Sequence, residues 1–283
     1  VLDLFAYLDA SESSARPIAL AGIDCQHSGH TATPLADRVR IWRELIAAAD
    51  SAYAREVARL VADLAARAPR RDYTDLSVTD RRRFRAGFRR LVAFLESRQD
   101  ALVAAHPDDA LLPAIALQAA RNDHHALGIF RGGEVNSAAR DSVLADNLEY
   151  LLDVRFPGRR VVVWAHNAHV RRHGSAIAPP HGFRSLGELM AARRPHEIYA
   201  LGLFMGHGFA ATNQRDRYVV PPPPVGSLAA LLSQAGWRHL FLDLASRADA
   251  SADHVPAWFT HPQVARSWGT VPCLQELARQ YDG

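Results

Sequence analysis

The sequence predicts an α/β fold, with a parallel or mixed central sheet flanked by helices and a large helical insertion. Three observations lead there. Short, continuous apolar runs recur at residues 17–24, 161–165, 197–205 and 238–244, each bounded by glycine, aspartate or polar loops, as strands buried on both faces are. Long segments between them carry apolar residues at helical spacing. The two kinds of segment alternate, which puts helices against one sheet.

The elements follow in order. Val1 to Leu8 reads as the middle of a helix, so the sequence is taken as a piece of a longer protein, lacking its N-terminal segment. Residues 17–24 form the first strand, ending in Gly22 and Asp24. Pro34 to Ala68 reads as one long helical region, with Leu35, Val39, Trp42, Leu45, Ile46, Val57, Leu60, Val61 and Leu64 on its apolar face, stopped by Pro69. Ser77 or Thr79 caps a helix through Phe84, Phe88, Leu91, Leu95 and Leu102. Pro107 opens a further helix holding Leu111, Ile115, Leu117 and Leu127. The expected organisation is a single domain over 1–283, with 34–135 as a helical insertion subdomain.

Asn136 or Ser137 caps the next helix, over 138–154. The β-branched run Val161-Val162-Val163-Trp164-Ala165 reads as a central strand. A short helix over 186–192 precedes a strand over 197–205, closed by Gly206-His207-Gly208. Pro221 to Pro224 can only be extended. Ser227 caps a helix over 228–234 that Gly236 ends, and the strand 238–244 is followed by a short extended piece and a closing helix.

Composition narrows the chemistry. All 33 basic residues are arginine, which removes Schiff-base lysines, phosphate-loop lysines and serine–lysine dyads. A net charge of +3 over 283 residues gives no case for nucleic acid, and the run Arg81-Arg82-Arg83 with Arg85, Arg89 and Arg90 reads first as a solvated helix face. Cys25 and Cys273 are far apart and in no metal-binding pattern, which fits reduced thiols in a cytoplasm; Cys25 reads as a buried spectator thiol rather than a nucleophile. No apolar stretch approaches the roughly 20 residues that cross a bilayer. No Gly-x-Ser-x-Gly elbow and no Gly-x-Gly-x-x-Gly turn occur, so neither a serine α/β-hydrolase nor a nicotinamide cofactor is supported, and no cofactor is expected.

In open α/β sheets ligands sit beyond the carboxyl ends of strands. That rule selects Asp24 with Gln26 and His27, the turn His166 to His169, His207 between two glycines, and Asp243. The second is sharpest, because an apolar strand delivers His166, Asn167 and His169 together. Imidazole titrates near pH 6.5 and suits general-base work, while an amide can hold a carbonyl oxygen. The competing reading is polar capping of the following helix. His166, His169 and His173 also fall on one helical face, a zinc-like spacing that lacks a His-Glu-x-x-His pattern and lies beside Arg171 and Arg172. On the preceding helix Arg140 and Asn147 share a face; Arg140 is a candidate anion binder and Asp141 a candidate for fixing a histidine tautomer, or a favourable charge at the helix start.

These residues resemble a known family. Arg140-Asp141-Ser142-Val143-Leu144-Ala145-Asp146-Asn147 is similar to the Arg-Asp-x-x-Met-Ala-x-Asn helix of the erythromycin esterases, which are grouped with succinoglycan biosynthesis-like proteins. Val161 to Val170 resembles their Val-Val-Val-Trp-Ala-His-Asn-x-His-Val strand and turn. Ala21-Gly22-Ile23-Asp24-Cys25-Gln26 resembles their Gly-Phe-Asp-x-Gln strand end, Leu186-Gly187-Glu188-Leu189 their Met-Gly-x-Leu segment, and Phe204 to Ala210 the glycine-bearing strand that follows it. The family's Gly-Glu-x-x-His-Gly motif has no counterpart in the sequence. The resemblance implies hydrolysis of a small-molecule ester or lactone by activated water, with His166, His169, Arg140 and Asp141 in catalytic roles. Asn147, Asn167, Asp24, Gln26 and His207 are the expected substrate-binding residues. Its rivals are a non-catalytic binding protein of the same fold and a metal-dependent hydrolase.

Overall fold

The structure is a computed structural model that describes residues 2–25, 33–68, 73, 76–131, 134–179, 181–212, 216–245, 261–267 and 271–283. It is an α/β fold dominated by helices. After α1 (Leu2–Glu12), five helices follow one another: α2 (Thr33–Ala47), α3 (Ser51–Arg67), α4 (Val78–Ser97), α5 (Gln99–Ala105) and α6 (Leu112–Ile129). The single helical run expected over 34–68 is two helices. Asp50 is extended and its carboxylate accepts from the Tyr53 N–H at 2.8 Å, so a cap wins over continuation. Ser77 caps α4 in the same way, accepting from Asp80 N at 3.0 Å.

The apolar stripes of these helices close on one core. Trp42, Phe84, Phe88, Leu91 and Leu95 are fully buried, each such burial contributing about 1.5–3 kcal/mol. Trp42 meets Phe88 edge-on at 6.0 Å and donates its indole N–H to the Ala116 carbonyl at 3.2 Å. The arginine run on α4 stays partly in solvent: Arg83 pairs with Asp63 and Arg90 with Glu56, whereas Arg81 turns inward to the carbonyls of Leu127 and Tyr73.

A short hairpin, β1 (Phe130–Arg131) with β2 (Glu134–Val135), leads into α7 (Ser137–Tyr150), capped by Asn136 and followed by a wider π turn, Leu151–Arg155. The one-turn helix α8 (Asn167–Val170) and the helix α9 (Leu186–Arg193) lie beyond it. A second core forms where α7 and α9 meet, from Leu144, Leu148, Leu186, Leu189 and Met190. Ile23, Val163 and Ile198, one from each of three extended segments, pack onto it. The later elements among the described residues include a hairpin of β3 (Gly208–Ala211) and β4 (Arg217–Val220), helix α10 (Leu228–Ser233), a hairpin of β5 (Gln263–Ser267) and β6 (Val271–Gln275), and helix α11 (Leu277–Gln280).

The four segments predicted as strands differ from expectation in two ways. Among the described residues the only hydrogen-bonded ladders are the three antiparallel hairpins, and 161–165 joins none. The segments at 198–205 and 240–244 are bridged by the chain's last residues instead: Asp282 N donates to the Ala200 carbonyl and Leu244 N to the Asp282 carbonyl, both at 2.8 Å. Nor are these runs buried on both faces. Val163 faces the helices while Val162 is 93% and Trp164 82% exposed, so one face packs and the other is open among the described residues. An unbroken apolar run cannot distinguish one covered face from two. No helix among the described residues is long and apolar enough to cross a membrane.

Candidate active site

The turn 166–169 is built as a capped helix start. His166 has extended backbone and its Nδ1 accepts from the Ala168 N–H at 3.1 Å, the capping task usually given to serine or aspartate. An acceptor Nδ1 carries no proton, so the neutral ring holds its hydrogen on Nε2. Partial burial holds His166 below the usual imidazole range, helped by the charges of His169 and Arg171. The capping role expected for this turn is thus present.

One helical turn on, His169 is nearly buried, and its Nδ1 lies 2.7 Å from Oδ1 of Asp141. Asp141 is wholly buried on α7 and a carboxylate only accepts, so His169 donates through Nδ1, and the neutral form of the ring has its lone pair on Nε2. The other oxygen, Oδ2, accepts the Leu186 N–H of α9 at 2.7 Å. This first-turn donor has no partner within its own helix, and the carboxylate supplies one. Asp141 thus joins α7, α8 and α9 at one point.

Arg140, Asn147 and Asn167 act as braces between neighbouring segments. Arg140 grips Asp24 with two hydrogen bonds, Nε to Oδ1 at 3.1 Å and Nη2 to Oδ2. Seven residues on, Asn147 donates to the Ile23 carbonyl at 2.7 Å and accepts from Gln118 at 2.5 Å. The shared helical face of Arg140 and Asn147 therefore holds the segment 17–25 along α7. Asn167 donates to the Leu203 carbonyl at 2.8 Å and accepts the Leu203 N–H at 3.0 Å, pinning 198–205 to α8. His207 is exposed at the start of β3 and makes no hydrogen bond to these groups among the described residues. Gln26 and His27 lie outside the described residues.

The helical face proposed for His166, His169 and His173 does not exist, because α8 ends at Val170 and His173 lies beyond it in an irregular turn. Among the described residues no three metal-ligating side chains converge. Burial, with the Asp24 charge adding to it, pushes the Cys25 thiol up to about 12, which leaves it protonated and a poor nucleophile near neutrality.

Sequence reasoning missed the wall behind His169. Phe183 meets the His169 ring edge-on at 6.0 Å, and the Arg171 guanidinium lies 5.0 Å over the Phe183 ring. Ser185 caps α9 and donates its hydroxyl to the Arg171 carbonyl at 2.7 Å. One signal was present: Ser185-Leu186-Gly187-Glu188 has the spacing of a capping box, with Ser185 Oγ accepting from Glu188 N at 3.4 Å.

Comparisons with known proteins agree with this architecture. The Bacillus subtilis (strain 168) protein named "Putative hydrolase YbfO" is 27% identical over 150 residues, 51% of this chain and 33% of that protein. The chain thus spans about a third of that relative's length. A solved Bacillus cereus protein matches over 99% of this chain and 69% of its own, with a TM-score of 0.76 at 15% identity. A solved succinoglycan biosynthesis protein matches over 99% and 67%, with a TM-score of 0.72, and a variant of the erythromycin esterase EreC in its open conformation over 99% and 70%, with a TM-score of 0.62, both also at 15% identity. At that identity these structures speak to the fold. The erythromycin esterase family profile matches residues 1–283 from end to end, and the chain belongs to that family.

Proposed function

We infer that the chain carries hydrolytic machinery for a small-molecule ester or lactone, with His169 as general base and His166 as hydrogen-bond donor to the carbonyl oxygen. The observation that carries this reading is the 2.7 Å contact between the buried Asp141 carboxylate and His169 Nδ1, which leaves Nε2 as an acceptor. In the reaction, Nε2 takes a proton from water as the water oxygen bonds to the acyl carbon. The resulting oxyanion accepts the Nε2–H of His166. Collapse breaks the acyl–oxygen bond, and the leaving alkoxide takes the proton from His169. One water is consumed, and an acid and an alcohol are released.

Arg140, Asn147 and Asn167 support the reading as braces that hold the flanking segments in register with the dyad. Family membership and the name of the Bacillus subtilis relative favour a hydrolase, and a macrolide lactone is one member of the substrate class. A reducing, cytoplasmic setting goes with two cysteines in no disulfide.

The test is a hydrolysis screen of the full-length protein across simple esters and lactones, repeated with His169→Ala and His166→Ala. A general base contributes about 10²–10⁴-fold, so His169→Ala should abolish most turnover. Cleavage by His169→Ala at the native rate would remove the assignment.

A further inference from the structure

Arg171 follows α8 directly, and its side chain is 1% exposed. Burying a guanidinium carries a large desolvation cost unless the interior compensates it. Here the compensation is specific and incomplete. Nη2 donates to the His181 carbonyl at 2.5 Å and the cation faces the Phe183 ring at 5.0 Å, yet Nε is buried without a hydrogen-bond partner among the described residues. Burial lowers the pKa of this arginine, while Tyr281 and Cys273, and after them Asp141 and Glu188, act to raise it.

Two routes lead from Arg171 back to His169. The guanidinium backs Phe183, whose ring meets the imidazole. The Arg171 carbonyl accepts from Ser185, which caps α9 and so sets the Leu186 N–H that binds Asp141. Both ends of one residue thus bear on the imidazole, one through its ring face and one through its Nδ1 partner. Gly174 leaves this closure no slack: a Cβ there would lie 2.5 Å from the Phe183 carbonyl oxygen and 2.9 Å from Arg171 Nε.

We propose that Arg171 is a positioning residue, which through Phe183 and Ser185 fixes the His169 ring on Asp141 with Nε2 free for the reaction. The inference rests on the reading of His169 as general base. A clamp of the loop alone would also bury an arginine, so the test must read the imidazole itself.

The variants are Arg171→Met, Phe183→Leu, their combination, and the conservative Phe183→Tyr. Nitrogen-resolved NMR reports the His169 tautomer and its Nδ1–H resonance, and kinetics on a substrate from the screen gives kcat and KM separately. Arg171→Met and Phe183→Leu should each lower kcat about tenfold or more, with KM changing less than about twofold, and should broaden or shift the His169 Nδ1–H resonance. The double variant should be no worse than the poorer single one, since the two act along one route, and Phe183→Tyr should restore the native values. Folded variants with native kcat and a native His169 resonance, altered only in melting temperature, would reduce Arg171 to a loop clamp. Phe183→Leu leaves the Arg171–His181 bond in place and carries the same two outcomes if Arg171→Met does not fold. If the native protein cleaves nothing in the screen, the hydrolase reading fails, and the NMR comparison still decides what Arg171 does.

Discussion

Gly187 lies directly against the backbone of Val170: a Cβ at residue 187 would sit 2.1 Å from the Val170 carbonyl oxygen and 2.6 Å from that of Arg171. The opposing atoms are main chain, so no side-chain rotation can relieve the clash. The first turn of α9 therefore lies closer to the end of α8 than a side chain at 187 would allow, and the neighbouring Leu186 N–H reaches Asp141. Gly187→Ala should push α9 away, lower stability by about 1–3 kcal/mol or more, and disturb the Asp141–His169 contact. Urea unfolding checks it. Gly22→Ala, where a Cβ meets nothing within 4 Å, is the control and should stay within about 0.5 kcal/mol of native. Equal stability for the two variants would contradict the packing described.

Asp141→Asn tests the tautomer argument with little change of shape. The new amide has one acceptor oxygen and one donor nitrogen. Its oxygen can keep the Leu186 N–H, leaving the nitrogen to donate to His169 Nδ1. The imidazole proton must then move to Nε2, which removes the lone pair that would take a proton from water. Hydrolysis should fall about 10²–10⁴-fold with the fold retained, and the nitrogen shifts of His169 should exchange their pattern. Asp141→Ala should instead destabilise by about 1–3 kcal/mol, because the buried Leu186 N–H loses its acceptor. Native activity in Asp141→Asn would mean the tautomer is not set by this residue.

Particular residues show what the sequence could and could not tell. The turn that carries His166 and His169 was legible, because a polar cap before a helix start is a local signal, whereas 161–165 pairs in no ladder among the described residues. So was the shared face of Arg140 and Asn147, a matter of helical geometry. Their targets were not, since Asp24 is 116 residues from Arg140 and Ile23 is 124 from Asn147. The hairpin that pairs Gly208 with Val220 and Ala211 with Arg217 was missed as well, though its pairing is local. Phe183 and Arg171 sit in an irregular loop with no periodicity to betray them. The long helix expected over 34–68 failed at Asp50 because propensity was weighed without its capping bond to Tyr53.

The two thiols should separate chemically. Cys25 is 1% exposed and burial pushes its thiol up to about 12, whereas Cys273 is only partly buried. A disulfide reagent at pH 8 should modify Cys273 of the native protein far faster than Cys25, which should react only after unfolding. Rapid native modification of Cys25 would show that its surroundings open.

Acid stability gives a signed expectation. Burial, with His125, Arg85 and Arg89 adding their charges, lowers His124 to about 4, and burial also lowers His125 and His166. In the unfolded chain each imidazole returns to about 6.5. Above that value both states are unprotonated and these groups leave stability unchanged. Between about 6.5 and 4 the unfolded chain binds more protons than the folded one, so stability falls as pH falls through that window. The native melting temperature should therefore drop on acidification from 6.5 to 4. His124→Gln, which removes the group lowered furthest among the three, should show a shallower drop even if it melts lower at pH 7, where the contact of His124 Nδ1 with the Arg85 carbonyl at 3.3 Å is lost or weakened. Equal slopes for the two proteins would place the acid sensitivity in other groups.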